Sequence, residues 1–369
     1  MSMSGVTCSA GAALPPRRRA LRLPGRLDLA PVDDRNFAAC ERVGQAIDAM
    51  VAGWLASRGY DRLFVTLATP DFAKGLSALV RSLRTVSDVP VLILTQGNFV
   101  PDVEADDVAF LEVPPLLRLG HTFPADAQHL AVTLSKLWVF SLTRPARVVF
   151  IDADCLVLQP IDDLFDGEDF AAVPDLFINY ETPAFNAGVF AFTPSAEISR
   201  GLFQRLPELS VGDGDQGILN AFFPNWRQLP QGFNFLRAHA LVRAQARDQA
   251  LRIVHYTPAK PWLPAPVSPR DPVLAPLDEL WTERLTPVEH VALVRDWRAR
   301  LATAETNIAS WMGPDAAKLR QDDMGFADGR KRRRHERRLK CWLGALVVLQ
   351  VVQASFLAWL LLHQANAWK

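Results

Sequence analysis

The chain has 369 residues, 49% of them hydrophobic, and its 40 Lys and Arg balance 40 Asp and Glu to a net charge of zero. That length suits one large α/β domain with appendages or two small domains, and the balanced charge offers no global field for nucleic acid. Cys8, Cys40, Cys155 and Cys341 are scattered without a C-x-x-C pair, which argues against a disulfide framework and for a reducing compartment.

Residues 1–33 read as a flexible leader rich in proline and arginine. The first fifteen residues lack the apolar core behind positive charge that marks a secretory signal. Arg17-Arg18-Arg19 would suit an organelle transit sequence, but Pro15, Pro16 and Pro24 speak against one. The compact domain is expected at 34–265. It opens with a helix over 36–58, in which Ala38, Val43, Ile47, Met50, Val51 and Leu55 recur near helical spacing. A strand at 63–67, a helix at 71–86, strands at 89–94 and 108–113, a helix at 131–142 and a strand at 148–151 follow. That β–α–β–β–α–β order is the pattern of a doubly wound sheet. Further strands are expected at 171–173, 188–192 and 251–254, with a helix at 216–222.

After Trp262 the run Leu263-Pro264-Ala265-Pro266-Val267-Ser268-Pro269 closes the domain. Residues 266–329 read as a linker and helical extension, whose helix opens at Thr286-Pro287-Val288-Glu289 with a capping box and Pro at the first helical position. A basic juxtamembrane segment occupies 330–340, a transmembrane helix 341–363 and a short tail 364–369. The span is long enough to cross a bilayer and is flanked by Trp342 and Trp368. A helix docked on the globular core is the other reading. It should show a polar stripe, and Gln350 with Gln353 is a thin one that could instead pair between helices in the membrane. A C-terminal anchor is therefore expected. The basic run belongs on the cytoplasmic side, which turns the domain toward the cytosol.

Chemistry centres on Val148-Val149-Phe150-Ile151-Asp152-Ala153-Asp154. Four large apolar residues read as a central parallel strand covered on both faces, and ligands gather beyond the carboxyl ends of such strands. Asp152 and Asp154 stand there, spaced so that both can reach one hard divalent cation bridging a diphosphate. Acidic pairs at strand ends are also common without a metal. His255 follows its own apolar strand, and two carboxylates with one imidazole suit a Mn²⁺-like ion, although a lone His after a strand is also a packing or capping residue. Lys260, five residues on, is in reach of a leaving phosphate.

Ordered blocks extend this pattern. They are Val65-Thr66-Leu67-Ala68-Thr69 with Phe72-Ala73-Lys74-Gly75, Leu134-Ser135-Lys136-Leu137, Val149-Phe150-Ile151-Asp152-Ala153-Asp154 and Ile161-Asp162-Asp163-Leu164-Phe165. Phe185-Asn186-Ala187-Gly188-Val189-Phe190, Gly214-Asp215-Gln216-Gly217-Ile218-Leu219-Asn220 and His255-Tyr256 with Lys260-Pro261-Trp262 complete them. In this order and approximate spacing the chain resembles the glycogenin-like retaining glycosyltransferases of family 8. The resemblance implies a GT-A fold: an α/β, doubly wound mixed sheet forming a Rossmann-like nucleotide-sugar-binding domain.

It also implies roles. Asp152, Asp154 and His255 match Mn²⁺ ligands, with Asp152 also near the ribose and Ala153 in the donor site. Lys260 would contact the diphosphate and stabilise the departing UDP. Thr66, Leu67 and Thr69 match the uridine loop, and Lys136 and Asn186 match residues that bind the donor sugar. Asp215 and Gln216 match the pair nearest the anomeric carbon, where either would stabilise an oxocarbenium-like centre or assist front-face displacement. The segment between His255 and Lys260 departs from the family: Thr257-Pro258-Ala259 is shorter, proline-stiffened and lacks the usual glycine. The block before Phe72 is one residue shorter than in the family. No tyrosine lies between Asn220 and His255, where self-glucosylating glycogenin carries its acceptor.

The expectation is a Mn²⁺-dependent enzyme moving a hexose from a UDP-sugar, UDP-glucose or UDP-galactose, to an acceptor at the cytosolic membrane face. A catalytically silent nucleotide-sugar-binding scaffold and a self-glucosylating primer are the alternatives. The oligomeric state stays open; dimerisation is common in the family, and a membrane helix could assist it.

Overall fold

The apolar runs of the sequence become the buried middle of an eight-stranded mixed sheet. The computed structural model describes residues 19–123, 130–175, 184–212, 214–236, 251–257 and 260–262. Its strands are β1 (Leu21–Arg22), β2 (Val32–Asp33), β3 (Arg62–Ala68), β4 (Val91–Thr95), β5 (Val108–Glu112), β6 (Leu116–Leu117), β7 (Arg147–Ile151), β8 (Cys155–Val157), β9 (Ala171–Pro174), β10 (Phe185–Phe192), β11 (Arg227–Gln228), β12 (Phe235–Leu236) and β13 (Ile253–His255). Its helices are α1 (Phe37–Arg58), α2 (Ala73–Leu83), α3 (Leu130–Thr133), α4 (Ala196–Arg205) and α5 (Gly214–Phe222).

The main sheet runs β1-β5-β4-β3-β7-β10-β9-β11. From β1 to β7 every pairing is parallel. At β10 the sheet turns antiparallel to both β7 and β9. A second sheet, β12-β13-β8, continues directly from the end of β7 through the turn 152–154. The α/β, doubly wound mixed sheet expected from sequence is thus the architecture observed.

Alternation within the central strands sends side chains to opposite faces. Leu63, Val65, Leu92, Leu94, Val148 and Phe150 enter one apolar cluster, packed with Ile47, Val51 and Trp54 of α1 and with Leu202 of α4. Phe64, Val91, Ile93, Val149 and Ile151 enter the other, packed with Leu76, Leu79, Val80 and Leu83 of α2. Burial on both faces explains why β7 reads as an unbroken apolar run. Helix α1 starts at Asn36, whose side-chain oxygen accepts from the Ala39 N–H at 3.1 Å. It stops at Gly59 in the left-handed region, φ 72°.

Several segments differ from expectation. Within the stretch read as a flexible leader, β1 pairs with β5 and β2 with β6; two-residue strands carry too little periodicity to be seen in sequence. The helix expected at 131–142 is α-helical only in its first turn and continues as a 3₁₀ segment, Leu134–Ser141, with all eight residues buried. Tertiary bonds hold it there: the Trp138 indole N–H donates to the Pro114 carbonyl at 2.9 Å, and the Ser135 hydroxyl accepts from the Leu116 N–H at 3.0 Å. Finally, His255 lies inside strand β13 rather than beyond it. Helix α4, capped by Ser195, was not anticipated. The expected extension, basic segment and transmembrane helix at 266–369 lie outside the described residues; among the described residues no helix is long and apolar enough to cross a membrane.

Phenylalanines tie β7 and β10 to the helical face. Phe190 stacks on Phe150 at 5.0 Å, on Phe140 at 5.6 Å and on Phe170 at 5.4 Å between ring centres, and is 0% exposed. Phe190→Ala is therefore expected to lower unfolding stability by about 3–5 kcal/mol. Urea denaturation at 25 °C checks this; a loss below about 1 kcal/mol would show that the stack is not a keystone of the core.

Candidate active site

Strand pairing assembles the site. Asp152 leaves β7 with its N–H donating to the Gly188 carbonyl on β10 at 2.8 Å. The chain turns through Ala153, the Asp154 carbonyl accepts from the Tyr256 N–H at 2.9 Å, and β8 then pairs antiparallel with β13, setting Cys155 opposite His255. Consequently the His255 Nε2 stands 3.2 Å from Asp154 Oδ1 and 3.9 Å from Asp152 Oδ2. The Lys260 ammonium pairs with the other Asp154 oxygen and donates to the Tyr256 carbonyl at 2.7 Å.

A second buried lysine joins the two halves of the site. Lys136, on the 3₁₀ segment, places Nζ 2.9 Å from Asp152 Oδ1, 2.7 Å from Asp215 Oδ2 and 3.1 Å from the Ala187 carbonyl. Asp215 sits in the first turn of α5, its N–H donating to the Thr133 hydroxyl at 3.3 Å. Next to it, Gln216 Oε1 accepts from the Ala187 N–H and from Asn186 Nδ2, both at 3.1 Å, while its Nε2 donates to Asp175 Oδ2 at 3.0 Å.

Burial sets the electrostatics. Desolvation pushes the Asp152 carboxyl up to about 6, against the pull of the Lys136 ammonium. Desolvation also works against the Asp154 carboxylate, but the His255 imidazole and Lys260 ammonium outweigh it and hold that group well below the usual range. Burial would lower Lys136, yet Asp152 and Asp215 together hold it above its ordinary value. Two carboxylates at one turn are thus driven apart: one is fixed as an anion, and the other is poised between forms.

The donor set fits a divalent cation. Two carboxylates and a ring nitrogen converge, a mixed oxygen and nitrogen donor set. Asp152, Asp154 and His255 would hold it. Cys155, not anticipated in sequence, is close: one ligand atom each from Asp154, Cys155 and His255 all lie within 4.8 Å of one another. Burial raises its thiol well above the ordinary range, so it stands as a neutral neighbour.

Of the residues singled out from sequence, Asp152, Asp154, His255, Lys260, Lys136, Asp215, Asn186 and Gln216 come together. Ala153 is buried in the apolar core; a Cβ on Gly75 would lie 2.5 Å from its carbonyl oxygen, so α2 reaches this turn only as glycine. Thr66 and Leu67 lie at the carboxyl end of β3 and Thr69 just beyond it, and β3 runs parallel beside β7 with Val65 level with Phe150. Thr66 is buried with its hydroxyl unpaired, and Leu67 packs on the core. Asp175 and Asn234 were not anticipated. Asp175 follows the buried strand β9 much as Asp152 follows β7, and that was its available signal; Asn234 had none.

Residues 121–265 match the family model described as Glycosyl transferase family 8. Human Glycogenin-1 is 37% identical over 226 residues, covering 55% of this chain and 62% of that protein. UDP-glucuronate:xylan alpha-glucuronosyltransferase 2 of Arabidopsis thaliana is 27% identical over 267 residues, covering 67% of this chain and 44% of that protein. The crystal structure of the galactosyltransferase LgtC with donor and acceptor sugar analogs is similar at a TM-score of 0.44 and 20% identity, covering 63% of this chain and 95% of that one. The chain spans less than two thirds of the length of these two curated relatives.

Gly188 is the tightest constraint on the cluster, because a Cβ there would overlap the His255 ring. Gly188→Ala is expected to push the imidazole off Asp154 and weaken divalent-cation binding by about 10-fold or more while the sheet stays folded. Isothermal titration with Mn²⁺, beside a thermal melt, checks this; unchanged affinity would remove His255 from the ligand set.

Proposed function

We propose, from the match of residues 121–265 to the glycosyl transferase family 8 model, that the protein moves a hexose from a UDP-sugar to an acceptor with retention at the anomeric carbon. UDP-glucose and UDP-galactose are the proposed donors and Mn²⁺ the cation. The single observation that carries the reading is Lys136 held between Asp152, on the diphosphate side, and Asp215, on the sugar side. One buried cation thereby fixes the spacing of the two ends at which such a reaction needs charge.

When bound, the cation neutralises charge on the diphosphate leaving group. Everything else falls to the chain itself. Lys260, anchored on the Tyr256 carbonyl, presents an ammonium beside Asp154, where it would stabilise negative charge on the departing phosphate. Asn186, Gln216 and Asp175 form a connected polar surface next to Asp215, able to hold sugar hydroxyls by donating and accepting hydrogen bonds. Asp215, paired with Lys136 at 2.7 Å, would face the position where positive charge develops at the anomeric carbon.

The short segment between His255 and Lys260 was the one feature favouring a silent scaffold. Lys260 nevertheless reaches Asp154, which removes the reason for preferring that reading. Self-glucosylation stays disfavoured, since no tyrosine lies between Asn220 and His255. We further propose that residues 341–363 anchor the chain in a membrane and turn the catalytic domain toward the cytosol, with a lipid-linked or membrane-bound acceptor.

Two measurements test this. UDP release from a panel of UDP-sugars with Mn²⁺ is expected for the wild type and should fall by roughly 100-fold or more in Asp154→Ala, the rate equivalent of the several kcal/mol that a Lewis-acid cation contributes. Release from no donor, even by slow hydrolysis, would leave only the scaffold reading. In sealed vesicles a C-terminal tag is expected to be protected from protease while the catalytic domain is digested; a tag cleaved together with the domain rules out the spanning anchor.

A further inference from the structure

Lys260-Pro261-Trp262 is a short, stiff unit. The proline ring fixes its own φ and disfavours helical backbone at the residue before it, so few soft dihedrals separate the lysine from the tryptophan. Whatever holds one of them limits where the other can go. The tryptophan is held by the turn after β3 and the start of α2. Its indole N–H donates to the Asp71 carbonyl at 3.0 Å. Its ring meets Phe72 edge-on, 5.9 Å between centres. Its outer rim rests on Gly75, where a Cβ would lie 2.7 Å from the indole and 2.5 Å from the Ala153 carbonyl. One glycine thus receives both the tryptophan and the turn between Asp152 and Asp154.

We propose that Trp262 is a positioning residue: seated on Gly75 and bonded to Asp71, it holds Lys260 where the leaving diphosphate is bound. The inference rests on the reading of Lys260 as the group that stabilises negative charge on the departing phosphate. An electrostatic contribution of that kind depends on the charge already standing in place when the bond breaks. A flexible side chain on a loose segment does not provide it. A lysine two residues from an anchored indole, across a proline, does.

The partners of the ammonium itself cannot serve as that anchor. It pairs with Asp154 and donates to the Tyr256 carbonyl at 2.7 Å. An ammonium that turns from Asp154 to a phosphate oxygen loses one of these two partners, and its long unbranched stem regains freedom. The contacts of Trp262 with Asp71, Phe72 and Gly75 involve neither the ammonium nor Asp154, so they persist through that change. Phe72 is shared: the Lys260 ammonium lies 5.8 Å from the centre of the ring that Trp262 meets edge-on. The lysine and its anchor thereby close on one aromatic side chain.

A double-mutant cycle separates positioning from mere support of the domain's end. In the full-length protein with Mn²⁺ present, UDP affinity is read by titration calorimetry and kcat/KM by UDP release from a UDP-sugar. Lys260→Ala should lower kcat/KM by about 100-fold or more and weaken UDP binding. Trp262→Ala should lower kcat/KM by about 10- to 100-fold, the cost of a misplaced group, and weaken UDP binding as well. The double variant should lose no more than Lys260→Ala alone, because a residue that acts through the lysine then has nothing to act on. Losses that multiply in the double variant overturn the proposal, as does a Trp262→Ala variant matching wild type in both readouts; the phosphate reading of Lys260 survives either result. A Lys260→Ala variant that matches wild type defeats that reading and the proposal with it. Should Trp262→Ala fail to fold, Trp262→Phe, which keeps a ring over Gly75 without the N–H, decides. A loss of about 2- to 10-fold that vanishes in the Lys260→Ala background supports the proposal; a loss that persists there, or none at all, overturns it.

Discussion

A lysine that water barely touches holds this site together. Lys136 lies between two carboxylates under the carboxyl end of β7, and moving three such charges out of water costs several kcal/mol each before their attraction is counted. Such a cluster is tenable only when every member is paired. Lys136 meets Asp152, Asp215 and the Ala187 carbonyl, and its ammonium lies 5.0 Å from the Phe150 ring centre. Because the lysine has one tolerable position, the elements that present it are constrained as well. The fully buried 3₁₀ segment, anchored through Trp138 and Ser135, delivers the ammonium to a fixed depth under the sheet.

The topology supplies the rest. A sheet parallel up to β7, with β10 antiparallel beside it, puts the end of β7 beside the start of β10, so the carboxylate turn and the Asn186–Gly188 stretch face one another. Two glycines then make close approach feasible. Gly75 lets α2 come down onto the Ala153 carbonyl and Trp262, and Gly188 leaves room for the imidazole. The Trp262 indole N–H donates to the Asp71 carbonyl at 3.0 Å and its ring lies edge-on to Phe72, which ties the Lys260 segment back to the turn before α2. The short proline-stiffened stretch after His255 is thus compatible with a lysine at Asp154, because its far end is fixed independently.

Much of this was legible in sequence, for a physical reason. Strands buried on both faces print as uninterrupted apolar runs, so β7 and the carboxylates after it announce themselves, as do β3 and β4. Helix α1 announces itself through its apolar spacing. Other features depend on who pairs with whom across the chain. Nothing local marks Cys155 as the neighbour of His255, since their register joins residues 100 positions apart by number. Asn234 was invisible because the groups its amide meets, on Asn186 and His255, lie far from it in sequence. Strands β1 and β2 were absorbed into an expected leader because two residues of strand leave no periodicity to detect. The 3₁₀ segment was read as an ordinary helix because burial on every side, rather than a periodic face, decides its form.

These connections bear on how substitutions at the site should be interpreted. Asp152 shares Lys136 with Asp215, while His255 shares Asn234 with Asn186 and, through it, Gln216. Removing one group therefore changes the charge or hydrogen-bond load on a residue at the opposite end. Contributions of residues joined in this way do not add, and a loss at Asp215 includes the cost of leaving Lys136 with a single carboxylate. The separable quantity is the coupling between the two ends. For the proposed reaction that coupling is useful, because a leaving group and an anomeric carbon held by one rigid polar network keep their spacing as charge shifts between them.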